Sequence, residues 1–323
     1  MIKQRIKKIV KGIARRAFKN ELQALNSMAI AYQRMIENYE PGWKAQNSSC
    51  EGVVFSRDRA MQLHALLSSY FTCVNNPVPL SILYTYSSKE HGDAYEELKK
   101  IFSGKNITFI KEKDFKRDLE SLLESISSEL VFFMTDDGLF IDSFDIREIT
   151  LFSPLHVLPS LIKGKDLTYC YIKDRKQSLP EFIQPGFTLP PTLICWEWGK
   201  AEGGSDWAYP LSLDLTFYNK KEIENLIKSI SYKAPNSLET ALHFNYASIF
   251  LHRKGVCYEK SKYVNIVCNV VNKEHQNRNT GLHSLDSLLS RWKQGYRIQY
   301  EFFHGKPCIE VEVSEFPFVK REV

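Results

Sequence analysis

The chain has 323 residues, of which 43% are hydrophobic and 25% are charged, a composition typical of a globular protein and unlike that of a disordered one. No apolar run approaches the roughly 20 residues needed to cross a bilayer, and the basic N-terminus lacks the apolar core of a secretory signal. Seven dispersed cysteines show no metal-clip spacing, so we expect free thiols and a cytoplasmic location.

The excess positive charge is concentrated at the N-terminus. Residues 1–19 contain eight lysines and arginines and no acid, and the apolar residues among them share one helical stripe. This pattern predicts a basic amphipathic helix and favours a peripheral position on an anionic membrane surface, at the inner face of the membrane. Docking on the body of the protein is the main alternative. A nucleic-acid arm is the least favoured, so no nucleic acid is expected as a partner.

The N-terminal helical periodicity continues to about Tyr39, where Pro41 and Gly42 end it. We therefore treat residues 1–49 as an amphipathic helical extension of the folded domain. Whether this extension contacts a membrane or builds a homo-oligomer is left open by the sequence.

From residue 50 onward, short apolar strands alternate with amphipathic helices. The predicted strands are Gly52–Phe55, Leu80–Tyr86, Ile107–Ile110 and Leu130–Met134. The predicted helices are Arg59–Tyr70, Ala94–Phe102 and Phe115–Ile126. Strands that are apolar throughout and separated by helices indicate a parallel sheet covered on both faces. Such sheets bind ligands at the carboxyl ends of their strands.

The second half of the chain is less regular. The predicted strands are Leu167–Ile172, Leu215–Tyr218, Val256–Tyr258 and Val264–Val267, and the predicted helices are Lys221–Ile230 and Leu238–Phe250. The stretch 180–214, rich in Pro, Gly and Trp, is predicted to be a long, ordered surface loop. Residues 283–323 are expected to pack on the domain through helix Leu285–Lys293 and strand Arg297–Phe302.

The clearest candidate site is Thr135-Asp136-Asp137-Gly138, directly after the strand Leu130–Met134. Paired carboxylates at the carboxyl edge of a sheet can hold a divalent cation, which can bridge two phosphates. Gly138 is expected to permit the tight turn that keeps both carboxylates on the open side. The alternative is a solvated turn, because Asp-Asp-Gly is also common in turns.

The order of these features resembles the GT-A nucleotide-sugar glycosyltransferases, particularly family 2, over about residues 50–275. The resemblance rests on Ser56-Arg57-Asp58-Arg59 after the first strand, on three strand–helix units, and on TDDGLF after the fourth strand. It implies a GT-A-like α/β fold with a mixed, mostly parallel sheet flanked by helices. Within a domain spanning 50–282, residues 50–140 would form the donor half and 141–282 the acceptor half.

The resemblance also implies an activity. This is the transfer of a sugar from a nucleotide-diphosphate donor to a carbohydrate or lipid-linked glycan acceptor, in surface polysaccharide or glycoconjugate synthesis, with Mn²⁺ or Mg²⁺ as cofactor. An inverting mechanism is favoured and a retaining one stays open. The alternatives are a nucleotidyltransferase, disfavoured because SRDRAMQ lacks the usual glycine-rich loop, and a non-catalytic sugar-binding or membrane-surface module.

Several donor-side residues match positions of that family. Ser56, Arg57 and Arg59 match donor-binding positions, and arginine suits phosphate or base contacts. Thr135 occupies the first position of the family's Asp-x-Asp motif. The resemblance therefore implies that Asp137 binds the metal, while Asp136 faces the ribose or the sugar of the donor.

An inverting enzyme needs a base that accepts the proton of the acceptor hydroxyl. Glu239 stands at the matching place, with Asp214 and Asp206 as alternatives. The structural alternative for Glu239 is a capping box with Asn236. Sugar rings pack on aromatic faces and their hydroxyls bind carboxylates, so an acceptor site is predicted on the loop. Its residues would be Trp196, Trp198, Asp206, Trp207 and Asp214, with one or more of the tryptophans expected in the core.

A polar segment near the C-terminus supplies the last candidates. In many GT-A enzymes a C-terminal loop closes over the donor. By that resemblance His275 would be a further metal ligand and Arg278 would contact the donor diphosphate, and both side chains are chemically suitable. A structural role is the alternative for His275.

Overall fold

The computed structural model describes residues 21, 23–38, 42–46, 48–269 and 283–321. The interpretations of the basic segment 1–19, of His275 and of Arg278 concern residues outside these ranges and stay predictions. Among the described helices, none combines the length and the apolar character required to span a membrane. The seven cysteines are all free and buried, which confirms the prediction of free thiols.

The helices are α1 (23–38), α2 (Ala60–Cys73), α3 (Lys89–Ile101), α4 (Phe115–Ser125), α5 (Ile146–Ile149), α6 (Lys220–Lys228), α7 (Pro235–Phe250) and α8 (Leu285–Lys293). The strands up to residue 140 are β1 (Cys50–Arg57), β2 (Val74–Asn75), β3 (Leu80–Thr85), β4 (Ile107–Lys111), β5 (Leu130–Thr135) and β6 (Gly138–Phe140). The later strands are β7 (Phe144–Asp145), β8 (Val157–Pro159), β9 (Tyr169–Cys170), β10 (Arg175–Lys176), β11 (Leu193–Glu197), β12 (Phe217–Asn219), β13 (Lys254–Tyr258), β14 (Tyr263–Ile266), β15 (Tyr296–Ile298), β16 (Glu312–Val313) and β17 (Phe318–Lys320).

The central sheet has the strand order β12-β5-β1-β3-β4. Strands β5, β1, β3 and β4 are parallel, and β12 adds an antiparallel edge beside β5. Helices α2, α3 and α4 connect the parallel strands. The predicted fold class, an α/β fold with a mixed, mostly parallel sheet between helices, is confirmed.

The sheet is covered on both faces because the side chains of each strand alternate between two apolar layers. Val54 of β1 packs in one layer with Leu66, whereas Val53 and Phe55 pack in the other with Leu119. Burial on both faces explains why the central strands are apolar at successive positions.

The chain order places a ligand crevice between β1 and β5. From β1 the chain proceeds outward to β3 and β4, then returns to the other side of β1 to form β5. Sheets of this kind bind ligands outside the strand ends at such a reversal. Phe55 pairs in register with Thr135, so the segments after β1 and β5 emerge side by side.

A smaller sheet extends this edge. Strand β14 pairs antiparallel with β6 and parallel with β16, which gives the order β16-β14-β6. Because β6 follows the Asp136-Asp137 turn directly, this sheet brings the C-terminal strand β16 toward the same crevice.

Three expectations for the second half are corrected. The stretch 180–214 is not a surface loop throughout, because it contains β11, which pairs antiparallel with β13, and several fully buried side chains. Strand pairing in the predicted segment Leu167–Ile172 is limited to β9, and the segment Arg297–Phe302 changes after β15 into a 3₁₀ turn over Tyr300–Phe303.

Gly138 is required for a different reason than the one predicted. It begins β6 without a positive φ, so no turn conformation demands glycine there. A Cβ atom at this position would lie 1.5 Å from the hydroxyl oxygen of Tyr263. The glycine therefore allows Tyr263 to pack directly against the backbone that follows the acidic turn.

We predict that Gly138→Ala lowers the free energy of unfolding by about 1–3 kcal/mol, because the fully buried ring of Tyr263 must shift. Urea denaturation would measure this loss. Gly104→Ala is the matched control, since nothing lies within 4 Å of a Cβ atom at that position. Equal losses in the two variants would contradict the explanation.

Candidate active site

Asp136 joins the end of β1 to the turn after β5. Its carboxylate accepts hydrogen bonds from Ser56 Oγ at 2.8 Å, from the backbone N–H of Arg57 at 3.2 Å and from Arg59 Nη1 at 3.0 Å. The side chain is only 4% exposed. Burial raises the pKa of Asp136 to about 6, against the opposing effect of Arg59. Asp136 thus holds the segments after β1 and β5 together, and its burial does not support the prediction that it faces the ribose or the sugar of the donor.

Arg59 is the cation at the centre of this arrangement. Its Nη1 also donates to Asp137 Oδ2 at 2.8 Å, its Nε donates to Asn269 Oδ1 at 2.9 Å, and its Nη2 donates to the carbonyl of Asn269. The guanidinium is therefore bound to protein groups on three sides. The prediction that Arg59 contacts donor phosphates is corrected to a structural role in holding the two aspartates.

Ser56 and Arg57 differ in accessibility although they are neighbours. The Ser56 hydroxyl is buried and lies 2.6 Å from the hydroxyl of Tyr95, so it is enclosed by protein. The predicted donor contact of Ser56 is therefore not supported by its position. The side chain of Arg57 is 64% exposed at the mouth of the crevice, with Asp58 Oδ2 at 3.9 Å. Arg57 is thus the donor-side cation that is open to a ligand.

Asp137 is the accessible carboxylate of the turn, with a side chain 24% exposed. Within the described ranges, no three His, Cys, Asp or Glu side chains converge on a point that could hold a metal ion. Mg²⁺ commonly binds through one or two carboxylates and substrate phosphates, and Asp137 fits that mode.

Asp214 faces the same crevice from the acceptor half. Thr135 Oγ1 donates to its Oδ1 at 3.3 Å, and the Asp214 backbone N–H donates to Ser212 Oγ at 3.0 Å. The next residue, Leu215, has a φ of 54°, and Asp58 on the donor side has a φ of 57°. Positive φ values at non-glycine residues store strain, which is concentrated at functional sites.

Glu239 lies beside Asp214, half-buried in α7. Its Oε1 accepts a hydrogen bond from the backbone N–H of Leu213 at 3.2 Å. Burial raises the pKa of Glu239 to about 8, and the charge of Asp214 adds to the rise; burial and the charge of Asp137 raise the pKa of Asp214 to about 6. The helix is capped by the Ser237 hydroxyl and the backbone of Ala234, so the alternative capping box of Glu239 with Asn236 is wrong.

A buried lysine lies near these acids. Lys163 is 2% exposed. Burial lowers the pKa of Lys163, and the charges of Asp206, Asp214 and Glu239 oppose this effect. The ammonium group therefore provides the nearby positive charge on the acceptor side.

The predicted aromatic acceptor surface is corrected. Trp196, Trp198 and Trp207 are each 0% exposed, and the ring of Trp196 packs edge-to-face on the other two at 4.8 and 5.1 Å. Trp207 Nε1 donates to the carbonyl of Leu167 at 3.1 Å. Rings without a free face cannot stack on a sugar. All three tryptophans therefore belong to the core, where at least one was expected.

Asp206 is held by Gln177 in a reciprocal pair. Gln177 Nε2 donates to Asp206 Oδ2 at 2.9 Å, and the backbone N–H of Asp206 donates to Gln177 Oε1 at 2.8 Å. This pair fixes the turn that carries Trp207. Of the predicted acceptor residues, Asp214 is therefore the one that lies with Glu239 and faces Asp137.

Sequence reasoning missed four polar residues at this site, and one of them had a signal. Tyr263, Asn265 and Lys163 occur in segments without a motif. Glu312 belongs to Ile309-Glu310-Val311-Glu312-Val313, whose strict alternation is typical of a strand with its acids on one face. Position in the fold, rather than local pattern, brings the other three to the crevice.

We predict that Glu239→Gln stabilises the protein at alkaline pH relative to the wild type. A carboxyl whose pKa is raised from about 4.3 in the unfolded chain to about 8 in the folded one costs stability as pH rises between those values. Between pH 5.5 and 8.5 the melting temperature of the variant minus that of the wild type should rise by at least about 2 °C.

The control for this experiment is Glu224→Gln on α6. Ion pairs with Lys220 and Lys228 lower the pKa of Glu224, so this acid is ionised in both states throughout the range. Its variant should show no comparable change with pH. A Glu239→Gln difference that stays constant or falls as pH rises would contradict the assigned shift.

No protein-family profile matches the sequence. Over 192 residues, which are 55% of this chain, the sequence is 27% identical to the bifunctional glycosyltransferase pgtA of Dictyostelium discoideum. The aligned part is 25% of that protein, so the chain spans about a quarter of the length of this curated relative.

Solved structures align at lower identity. S. aureus TarS 1-349 aligns at 13% identity with a TM-score of 0.40, over 67% of this chain and 59% of that one. GalNAc-T7 with UDP, GalNAc and Mn²⁺ aligns at 8% identity with a TM-score of 0.44, over 76% of this chain and 47% of that one. The chain is similar in sequence to part of a glycosyltransferase, which confirms the resemblance inferred from the order of its motifs.

Proposed function

We propose that this protein transfers a sugar from a nucleotide-diphosphate donor to a hydroxyl group of a carbohydrate or lipid-linked glycan. The observation that carries the proposal is the pairing of two acidic sites at one crevice. Asp137 opens on the donor side, and the interacting acids Asp214 and Glu239 lie on the acceptor side. The first suits a diphosphate with its cation, and the second suits removal of a proton from an attacking hydroxyl.

On the donor side, Asp137 would hold Mn²⁺ or Mg²⁺ together with diphosphate oxygens. The bound cation would stabilise the negative charge that develops on the leaving diphosphate. Arg59 keeps the Asp137 carboxylate fixed through the 2.8 Å hydrogen bond, and Asp136 fixes Arg59 in turn. The exposed Arg57 would pair with the donor at the mouth of the crevice.

On the acceptor side, Glu239 would accept the proton as the acceptor oxygen attacks the anomeric carbon. A general base works best when its pKa is near the operating pH, and the raised pKa of Glu239, about 8, meets this requirement. Asp214 contributes by its negative charge, which disfavours the ionised form of Glu239. A base placed opposite the leaving group favours inversion of the anomeric centre.

We predict that Glu239→Gln lowers turnover by about 10²–10⁴-fold, the usual contribution of a general base. The amide keeps the shape of the side chain but cannot accept the proton. Release of UDP from UDP-GlcNAc and other UDP-sugars, with water or a panel of methyl glycosides as acceptors, would measure turnover. The affinity for UDP with Mn²⁺, measured by calorimetry, should stay within about twofold of the wild type.

The Asp214→Asn variant tests whether Glu239 or Asp214 acts as the general base. If Glu239 is the base, removing the neighbouring charge lowers its pKa, and the Asp214→Asn variant keeps measurable turnover with an acid limb shifted to lower pH. A Glu239→Gln enzyme with nearly normal turnover, together with an inactive Asp214→Asn enzyme, would transfer the role of base to Asp214.

We predict that Asp137→Ala removes the dependence of UDP binding on Mn²⁺, because the accessible carboxylate of the turn is lost. Calorimetry of UDP binding with Mn²⁺ and with EDTA would show a clear difference in the wild type and little or none in the variant. Asp142→Ala is a control at a nearby acid that lies outside the crevice and pairs with Lys262. Unchanged Mn²⁺ dependence in Asp137→Ala would exclude this ligand.

A further inference from the structure

Three strands align a glutamate with the acidic turn. Gly138 of β6 pairs with Asn265 of β14, and Asn265 pairs with Glu312 of β16. Residues paired in register project their side chains on the same face of a sheet. The side chain of Asn265 lowers the pKa of Asp214, so this face is the one that lies toward Asp214. Glu312 therefore belongs to the same face.

Two oxygen atoms on this face lack a partner. Oδ1 of Asn265 and Oε2 of Glu312 are buried, and neither accepts a hydrogen bond from any described residue. Amide and carboxylate oxygens are acceptors only, and leaving such atoms buried and unpaired costs free energy. The group that would satisfy both is a hydrogen-bond donor or a cation.

A third buried polar atom without a described partner, the hydroxyl of Tyr263, lies beside the acidic turn. Tyr263, two residues before Asn265, is 0% exposed, and its hydroxyl forms no hydrogen bond with the described residues. This hydroxyl is at the backbone of Gly138, directly after Asp137. The charges of Asp214, Asp137 and Asp136 act on it. The Tyr263 hydroxyl is therefore a third buried polar atom without a described partner beside these acids.

The electrostatics favour a cation over a neutral donor. Burial raises the pKa of Glu312 to about 8, and the negative charges of Asp137 and Asp214 contribute further. Arg59 is already bound to Asp136, Asp137 and Asn269. A divalent cation takes carboxylate and amide oxygens as ligands and would offset the accumulated negative charge.

We propose that Glu312 supplies, together with Asp137, the protein carboxylates of the divalent cation site, with the amide oxygen of Asn265 as a further ligand. Glu312 would thereby replace the acid that is absent at Thr135. This inference rests on the proposed metal-assisted function and names a ligand from a strand more than 170 residues away along the chain. The remaining positions would be filled by diphosphate oxygens, in keeping with the absence of a three-carboxylate cluster among the described residues.

The test is direct binding of Mn²⁺ in the presence of UDP, followed by the loss of the electron paramagnetic resonance signal of free Mn²⁺. Glu312→Gln should weaken Mn²⁺ affinity by at least about tenfold. Glu315→Gln, an exposed acid of the same segment, is the matched control and should bind Mn²⁺ like the wild type. Wild-type affinity in Glu312→Gln would overturn the proposal.

A second measurement separates a ligand from a residue that only supports the fold. Without metal, Glu312→Gln should melt at the same temperature as the wild type or higher, because the variant removes a carboxyl whose ionised form is disfavoured by burial. With Mn²⁺ and UDP, its melting temperature should rise less than that of the wild type, since stabilisation follows ligand affinity. A variant that melts several degrees lower without metal would assign Glu312 to the fold and overturn the proposal.

Binding of Mn²⁺ by the wild type distinguishes failure of the proposed function from failure of the role of Glu312. If the wild-type protein does not bind Mn²⁺ with UDP, the metal part of the proposed function fails and the role of Glu312 fails with it. If the wild type binds Mn²⁺, Asp137→Ala does not, and Glu312→Gln binds normally, only the role of Glu312 is overturned.

Discussion

The buried ion pair between Arg59 and the two aspartates holds the crevice together. Arg59 follows β1, Asp136 and Asp137 follow β5, and Asn269 lies just beyond β14, so one guanidinium joins three chain segments. A buried charge without its partner costs about 3–5 kcal/mol. The positions of these segments are therefore coupled, and Asp137 is presented to the crevice in one orientation.

Asp214 connects this donor-side arrangement to the acceptor side. It accepts a hydrogen bond from Thr135 at the end of β5, and its charge acts on Glu239 in α7. Burial raises the pKa of both acids, and the charge of Asp214 adds to the rise at Glu239. Leu215, directly after Asp214, has a positive φ, a backbone conformation that costs free energy in a residue other than glycine.

A structural feature could be predicted from the sequence when it depends on residues close together along the chain, and could not when it depends on residues far apart. The order of the strands β1, β3, β4 and β5 was predictable because each strand is apolar throughout and bounded by turn residues. The roles of the aromatic loop were not, because a tryptophan has the same local pattern in a core as on a sugar-binding surface. Burial of Trp196, Trp198 and Trp207 depends on β11 pairing with β13, about 60 residues away along the chain.

The sequence by itself determined the α/β class, the acidic turn after the fourth strand of the parallel unit, and Glu239 and Asp137 as acids of interest, because these follow from local periodicity and from motifs in order. The tertiary structure decided which polar groups are free. Asp136 and Arg59 form hydrogen bonds with each other, whereas Asn265 and Glu312 each carry a buried oxygen atom that no described residue pairs with. Contacts between distant segments decide whether a polar side chain has a hydrogen-bond partner, and the local sequence pattern carries no information about such contacts.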